Sequence, residues 1–366
     1  MHLNAASLGP TSRAMLAATI EAWRRLESSP VYMGYGKSGD DKVVIQADAV
    51  RGKAAALLGC DAEEIMITHG TTDGMNTVAQ GIVLSAGDRI LTTDQEHEGG
   101  SLCWEYRARR DGVTIDRIAI LPTEFDALRI VWRFEQAITP ATRIISFSHV
   151  ITTTGLRMPV AEIAALARRR GILCVVDGAQ AAGNIPVDVK ALGCDAYATS
   201  GHKWLMGPKG TGLLYVSREA DAQIVPIQWG DARRYGAEAA GVGAMTLVVG
   251  FGAALDAIRG WGMAAIERRN LDLRTRMYEG LREIEGLRVV GPPPGPLASA
   301  IVACALPDAL DSRMVQQALH DRHGILVKMA EKRWLNGLRF SPHVFNTIAD
   351  VDYTLRALRT ELRPGS

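Results

Sequence analysis

Residues 172–203 read ILCVVDGAQAAGNIPVDVKALGCDAYATSGHK, and the two ends of this stretch decide the fold. Ile172 to Val176 is an apolar run with adjacent β-branched residues, the composition of a strand covered on both faces. It ends in Asp177 and Gly178. A second short strand, Ala196-Tyr197-Ala198-Thr199, runs into Ser200-Gly201-His202-Lys203. In an open α/β sheet, ligands bind beyond the carboxyl ends of the strands. Two neighbouring strand ends therefore offer one ligand both a carboxylate and an amine. A lysine there can condense with an aldehyde, and an acid can keep a heterocyclic nitrogen protonated.

Working outward, strand and helix patterns alternate. Helices are expected over 13–27, over 43–58 with a stop at Gly59, near 130–138 and over 159–170. Strands are expected at 89–93, at RIAIL (117–121) and at 143–150. Such repeated βα units predict a mostly parallel, doubly wound sheet. From about 251 the texture changes to a long helical pattern over 251–284. A helix over 311–323, strands ILVKM and GLRFS, and a helix over 350–362 complete an α+β tail. The division is thus a large domain, 13–250, and a smaller one, 251–366, with 1–12 packing near the site. Nothing repeats internally.

Other segments bear on chemistry. In IMITHGTTDGMNTVAQGIV (65–83), an apolar run gives way to Gly70, Thr71 and Thr72 and then to a helical pattern. Small hydroxyl residues at such a turn leave amides and hydroxyls for an anion, although Thr and Asp there are also ordinary helix caps. Asn76, one turn later, can face the same place. Glu96-His97-Glu98 follows a strand, but adjacent side chains on extended backbone diverge, which makes a metal site a poor reading. No GxxxxGK[ST] occurs, and GFGAAL (250–255) fails GxGxxG at Leu255, so nucleotide and nicotinamide binding are disfavoured.

Hydrophobic residues make up 47% of the chain, enough for a large core, and 41 Lys and Arg nearly cancel 40 Asp and Glu. That balance argues against nucleic acid or an anionic membrane as partner. The N-terminus lacks the layout of a secretory signal, and no apolar run has membrane-spanning length. Five scattered cysteines (60, 103, 174, 194, 304) suggest neither a disulfide framework nor zinc, and read as core residues. The expectation is a soluble cytoplasmic protein.

DGAQ followed by SGHK resembles the cofactor-binding core of the class V aminotransferase family, which includes cysteine desulfurases, selenocysteine lyases, kynureninase and isopenicillin N epimerase. The resemblance runs over roughly residues 2 to 355, beginning with LNAASLGP, which leaves little room for an N-terminal extension. It implies a fold type I transferase that binds pyridoxal 5'-phosphate. Lys203 then holds the cofactor as a Schiff base and serves as base at Cα of an α-amino acid. Asp177 keeps the ring nitrogen protonated and Gln180 bonds the phenolic oxygen. Gly70, Thr71, Thr72, Ser200 and His202 hold the phosphate, His97 stacks on the ring, and Arg339 in GLRFSPHVFNT grips the substrate carboxylate. A guanidinium suits that task because its planar fork pairs bidentately.

Two departures matter. Thr152 stands where desulfurases carry an Asn, and Val242 stands where the family usually sends a Thr to the neighbouring subunit's phosphate. A symmetric homodimer with shared sites is implied. VKMAEKRWLNGLRF before Arg339 has no cysteine, so sulfur transfer is disfavoured. An epimerase like isopenicillin N epimerase leads, followed by a carbon–sulfur β-lyase, then a transaminase, with a non-catalytic scaffold last. Tyr32 and Tyr35 are either exposed loop aromatics or cover over the substrate pocket. Lys328, Lys332 and Arg333, in the segment before Arg339, either attract an acidic group or form a solvated charged loop, and the loop is the preferred reading.

Overall fold

The computed structural model describes residues 1–35, 39–225, 243–330 and 334–362. Its main sheet has seven strands: β1 (Ile65–Thr68), β2 (Arg89–Thr93), β3 (Thr114–Ile118), β4 (Thr142–Ser148), β5 (Leu173–Asp177), β6 (Ala196–Ser200) and β7 (Gly212–Val216). Their order is β1-β7-β6-β5-β4-β2-β3, and only β7 runs against the rest. Around the sheet lie α1 (Arg13–Ser28), α2 (Pro30–Gly34), α3 (Val43–Leu58), α4 (Thr71–Gly81), α5 (Glu98–Asp111), α6 (Ala127–Ala137), α7 (Val160–Arg169) and the short α8 (Val189–Leu192).

The continuous apolar strands follow from double covering. Side chains alternate across a strand, so neighbours in sequence enter opposite cores. Ile145, Val176, Tyr197 and Leu213 join one cluster with Phe134, Phe147 and Trp204. Ile144, Val175, Ala196 and Leu214 join another with Trp104 on the far face. The result is a fold type I α/β domain.

The edge strand β3 lies three residues before the expected RIAIL. Its register is set by pairing with β2, Arg89 opposite Thr114 through Thr93 opposite Ile118. The Arg89 guanidinium clasps Asp116 (Nε to carboxylate 2.6 Å), and this cross-strand ion pair outweighs the more apolar neighbouring letters. The helical pattern over 251–284 is two helices, α9 (Met245–Trp261) and α10 (Met263–Arg282), bent by 82° at Gly262, whose φ is 79°. The division after residue 250 thus falls inside α9. Phe251, Leu255 and Ile258 of α9 pack in the large core, whereas Leu273, Met277 and Leu281 of α10 enter a second one.

That second core lies against a four-stranded antiparallel sheet of order β10-β11-β9-β8, from β8 (Arg288–Val290), β9 (Val302–Ala305), β10 (Lys328–Met329) and β11 (Gly337–Phe340). α11 (Ser312–His323) and α12 (Ile348–Glu361) complete it. Among the described residues no single helix is long and apolar enough to cross a membrane.

The N-terminal segment straps the two parts together. Leu3 N donates to Leu326 O at 2.9 Å, Ser341 N donates to Leu3 O at 2.9 Å, and Gly9 N donates to His202 O at 2.7 Å. A β-carbon on Gly9 would lie 2.0 Å from Lys203 O, so only glycine permits this approach.

One buried histidine links this packing to pH. His149, just after β4, shares a 2.9 Å hydrogen bond between its Nδ1 and the Tyr197 hydroxyl. Burial, with the Arg157 guanidinium adding, holds its imidazole down at about 3. The folded ring is therefore neutral, while an unfolded histidine takes a proton near pH 6.5. Below that value the native state binds fewer protons, so stability present above about pH 6.5 is lost as pH falls. Between about pH 6.5 and about pH 4, the urea-unfolding free energy should fall by about 3 kcal/mol more in the wild type than in His149→Gln. Equal slopes would show that the ring does not control the acid response.

Candidate active site

At the carboxyl ends of β1, β6, β5, β4 and β2, a cavity of about 730 Å³ opens towards the small domain. Asp177 is the last residue of β5, in register with Ser148 of β4 and Ala198 of β6. Its carboxylate accepts from Ala179 N at 2.9 Å. Gly100 of α5 lies against it: a β-carbon there would come 2.3 Å from Oδ2. Burial raises the Asp177 pKa, partly offset by the Lys203 charge and the Ala179 bond. Lys203, carried by the tight turn after β6, lines the same cavity. Burial around its amine brings it down to about 8, with Asp177 opposing and Arg339 and Lys328 adding to the fall. Both groups are thus pushed towards their neutral forms, each resisting through the other.

A second cluster joins α4 to the same turn. Gly70, Thr71 and Thr72 open α4 and line the cavity beside Ser200 and His202. Ser200 Oγ accepts from Thr71 N at 3.1 Å and lies 2.8 Å from Thr71 Oγ1. The His202 Nδ1 is buried without a hydrogen-bond partner, and burial with nearby Lys203 and Lys209 lowers its pKa to about 4. An orphaned nitrogen among hydroxyls at a helix start is suited to an anion. Asn76 also lines the cavity, but its amide nitrogen donates back to Thr72 O at 2.8 Å.

His97 caps α5. Its Nδ1 accepts from Gly99 N at 3.0 Å, which leaves the proton of the neutral ring on Nε2. Burial, then Lys203, lowers its pKa. Its neighbour Glu96 turns away into the protein, accepting from Thr93 Oγ1 and Ser148 Oγ, each at 2.6 Å. Burial lifts the Glu96 carboxyl to about 7 against those two bonds. Sequence reading weighed Glu96 only as a metal ligand. Its partner Ser148 is remote in the chain, so no local spacing announces the contact.

Arg339 sits on β11, inside its sheet and buried. Nη1 donates to Thr152 Oγ1 at 2.8 Å, and Nη2 to Ser7 Oγ at 2.9 Å and Asn4 Oδ1 at 3.1 Å. The Thr152 hydroxyl is therefore committed to Arg339. The Gln180 amide is occupied as well: Nε2 donates to Ala6 O at 2.9 Å and Thr152 Oγ1 at 3.3 Å, and Oε1 accepts from Trp204 Nε1 at 2.8 Å. A hydrogen bond donated from Gln180 Nε2 to a ligand must displace one of its two donations. Asn4 and Ser7 belong to the opening segment expected near the site, but their bonds to Arg339, like that of Trp204 to Gln180, carry no sequence signal.

All the residues expected at the site, Gly70, Thr71, Thr72, His97, Thr152, Asp177, Gln180, Ser200, His202, Lys203 and Arg339, line this one cavity. Lys328 lines it too, and its side chain is exposed, as its reading within a solvated charged segment expects. Tyr32 and Tyr35 do not: both are exposed, and Lys42 Nζ lies 4.4 Å from the centre of the Tyr32 ring. Val242, Lys332 and Arg333 lie outside the described residues.

The family described as aminotransferase class-V matches residues 10–354. An isopenicillin N epimerase from Amycolatopsis lactamdurans is 32% identical over 98% of this chain and 94% of its own. A probable cysteine desulfurase from Halalkalibacterium halodurans is 28% identical over 98% and 92%. Among solved structures, a complex of the cystine C–S lyase C-DES with cysteine persulfide superposes with a TM-score of 0.88 at 25% identity, covering 98% of this chain and 97% of that one. With its sheet, its cavity and these relatives in agreement, the chain belongs to the class-V aminotransferase family of pyridoxal-phosphate enzymes.

Proposed function

We propose that this enzyme works at Cα of an α-amino acid and that its reaction is epimerisation at that carbon. The observation that carries the reading is the facing of Lys203, Asp177 and Arg339 onto one cavity. The residues fit the cofactor on their own chemistry. The orphaned Nδ1 of His202, with Thr71, Thr72 and Ser200, suits the phosphate, and the missing side chain of Gly100 leaves room at Asp177. Pyridoxal phosphate, when bound to Lys203, supplies a sink for the electron pair left at Cα.

Arg339 holds the α-carboxylate, orienting Cα towards Lys203. With its amine brought down to about 8, Lys203 takes the Cα proton on Nζ near neutral pH. Inversion requires return of a proton from the opposite side. Similarity to an isopenicillin N epimerase along nearly the whole chain supports that outcome. His97 serves there only as the imidazolium, because the neutral ring has its lone pair on Nδ1 engaged by Gly99.

That engagement favours a second reading, β-elimination across a carbon–sulfur bond, which needs Lys203 alone and accords with the likeness to a C–S lyase. Sulfur transfer is disfavoured, since none of the five cysteines lines the cavity. The active unit is a homodimer in this reading. What supports it is an exposed apolar stripe on α1, Leu16, Ile20 and Trp23, at helical spacing.

Incubating candidate amino acids with the holoenzyme in heavy water decides the reaction. Deuterium at Cα with inverted configuration is expected; pyruvate with released thiol or sulfide would instead establish elimination. Lys203→Ala should lose both Cα exchange and the visible cofactor band. Gly100→Ala should displace Asp177 and slow Cα exchange roughly 100-fold, ~2.7 kcal/mol of barrier. An unaltered rate there would remove Asp177 from the chemistry.

A further inference from the structure

Lys203 sits at the head of a turn whose backbone is strained. Among the described residues, Met206 is the one non-glycine residue with positive φ, 53°, and its N donates to Lys203 O at 3.1 Å. A side chain in that left-handed region costs energy, and such a conformation persists where surrounding contacts dictate it. Those contacts converge on Trp204, which is fully buried. Its indole donates to Gln180 Oε1 at 2.8 Å, and a β-carbon on Gly183 would come 2.6 Å from Trp204 O. That carbonyl oxygen meets His343 Nε2 at 2.9 Å, and the two rings meet edge to face with centres 5.2 Å apart.

His343 comes from the other sheet. It follows β11 on the same segment as Arg339 and is fully buried. Its Nδ1 lies 3.0 Å from the side-chain amide of Asn270 on α10, and its backbone N donates to Asn346 Oδ1 at 3.0 Å. A carbonyl can only accept, so Nε2 carries the proton. Burial brings the imidazole down to about 4, which leaves the ring neutral at neutral pH and that proton its only one. The segment bearing Arg339 is thereby fastened to the carbonyl of the residue after Lys203.

We propose that His343 is a positioning residue, whose Nε2–H bond to Trp204 O sets Lys203 in place relative to Arg339. In the function proposed above, on which this inference rests, the Lys203 amine takes the Cα proton of an amino acid whose carboxylate Arg339 holds. The large sheet carries the first group and the small sheet the second. The bond from His343 joins the strained turn directly to the end of β11. A slip there moves the base relative to the substrate without removing either group.

The test compares holoenzymes carrying His343→Gln and His343→Asn. Glutamine places its side-chain NH2 near the position of Nε2, whereas the shorter asparagine reaches only to that of Nδ1. Each variant loses one of two buried bonds, so a purely structural histidine would make them alike. Deuterium uptake at Cα is followed in heavy water with whichever common amino acid the wild type exchanges fastest. His343→Asn should lower kcat about 30-fold with KM changed less than about twofold, because misplacing a base costs rate rather than binding. His343→Gln should stay within about threefold of the wild type in both. The visible circular dichroism of the lysine-bound cofactor should weaken in His343→Asn and persist in His343→Gln. Imidazole nitrogen NMR of the wild type, with the His343 signal identified by its loss in His343→Gln, should show the proton on Nε2 at neutral pH. That readout needs no folded asparagine variant. Equal kinetics in the two variants, or a ring protonated at Nδ1, would overturn the positioning role while leaving the amino-acid reaction standing. Failure of the wild type to exchange any amino acid would overturn both.

Discussion

The site depends on one constraint, a carboxylate and an amine held out of bulk water at the ends of adjacent parallel strands. Asp177 and the turn bearing Lys203 are fixed by the β4-β5-β6 ladder, which is covered on both faces. Neither group is stable there as an isolated ion, and each draws the other's titration back towards the charged form. Such a pair keeps an amine able to lose its proton near neutrality without adding mobile solvent to the cavity. Gly100 completes the constraint, because a side chain at that point of α5 would occupy the place of the carboxylate.

Around that pair, the cavity is walled by the large sheet on one side and by residues of the small sheet on the other. Arg339 and Lys328 enter from a different sheet with its own core. Thr152, Asn4 and Ser7 hold Arg339 in place, and Gln180 and Trp204 tie Thr152 to the stretch between Asp177 and Lys203. One hydrogen-bonded path therefore runs from Arg339 through Thr152 and Gln180 to Trp204, the residue after Lys203.

The central strands were legible because their apolar runs have one physical reading, a sheet covered on both sides. Lys203 and Asp177 were legible because strand ends in such a sheet face the ligand. β3 was not: an edge strand has one neighbour, and the Arg89–Asp116 pair set its register where hydropathy favoured residues further on. The break at Gly262 was hidden because apolar residues keep helical spacing on both sides of it. Glu96 with Ser148, and Arg339 with Asn4 and Ser7, join residues remote in the chain, and no local pattern encodes them.

The segment from Met1 to Gly9 has a consequence for anyone reducing this protein to a minimal catalytic core. Its backbone bonds to Leu326, Ser341 and the turn at His202, and the Asn4 and Ser7 side chains steady the Arg339 guanidinium. A shortened chain starting at α1 would keep every strand of the large sheet and the lysine itself. It would nonetheless leave the Arg339 guanidinium without Asn4 and Ser7, so grafts of this scaffold need the leading residues as much as the helices that follow.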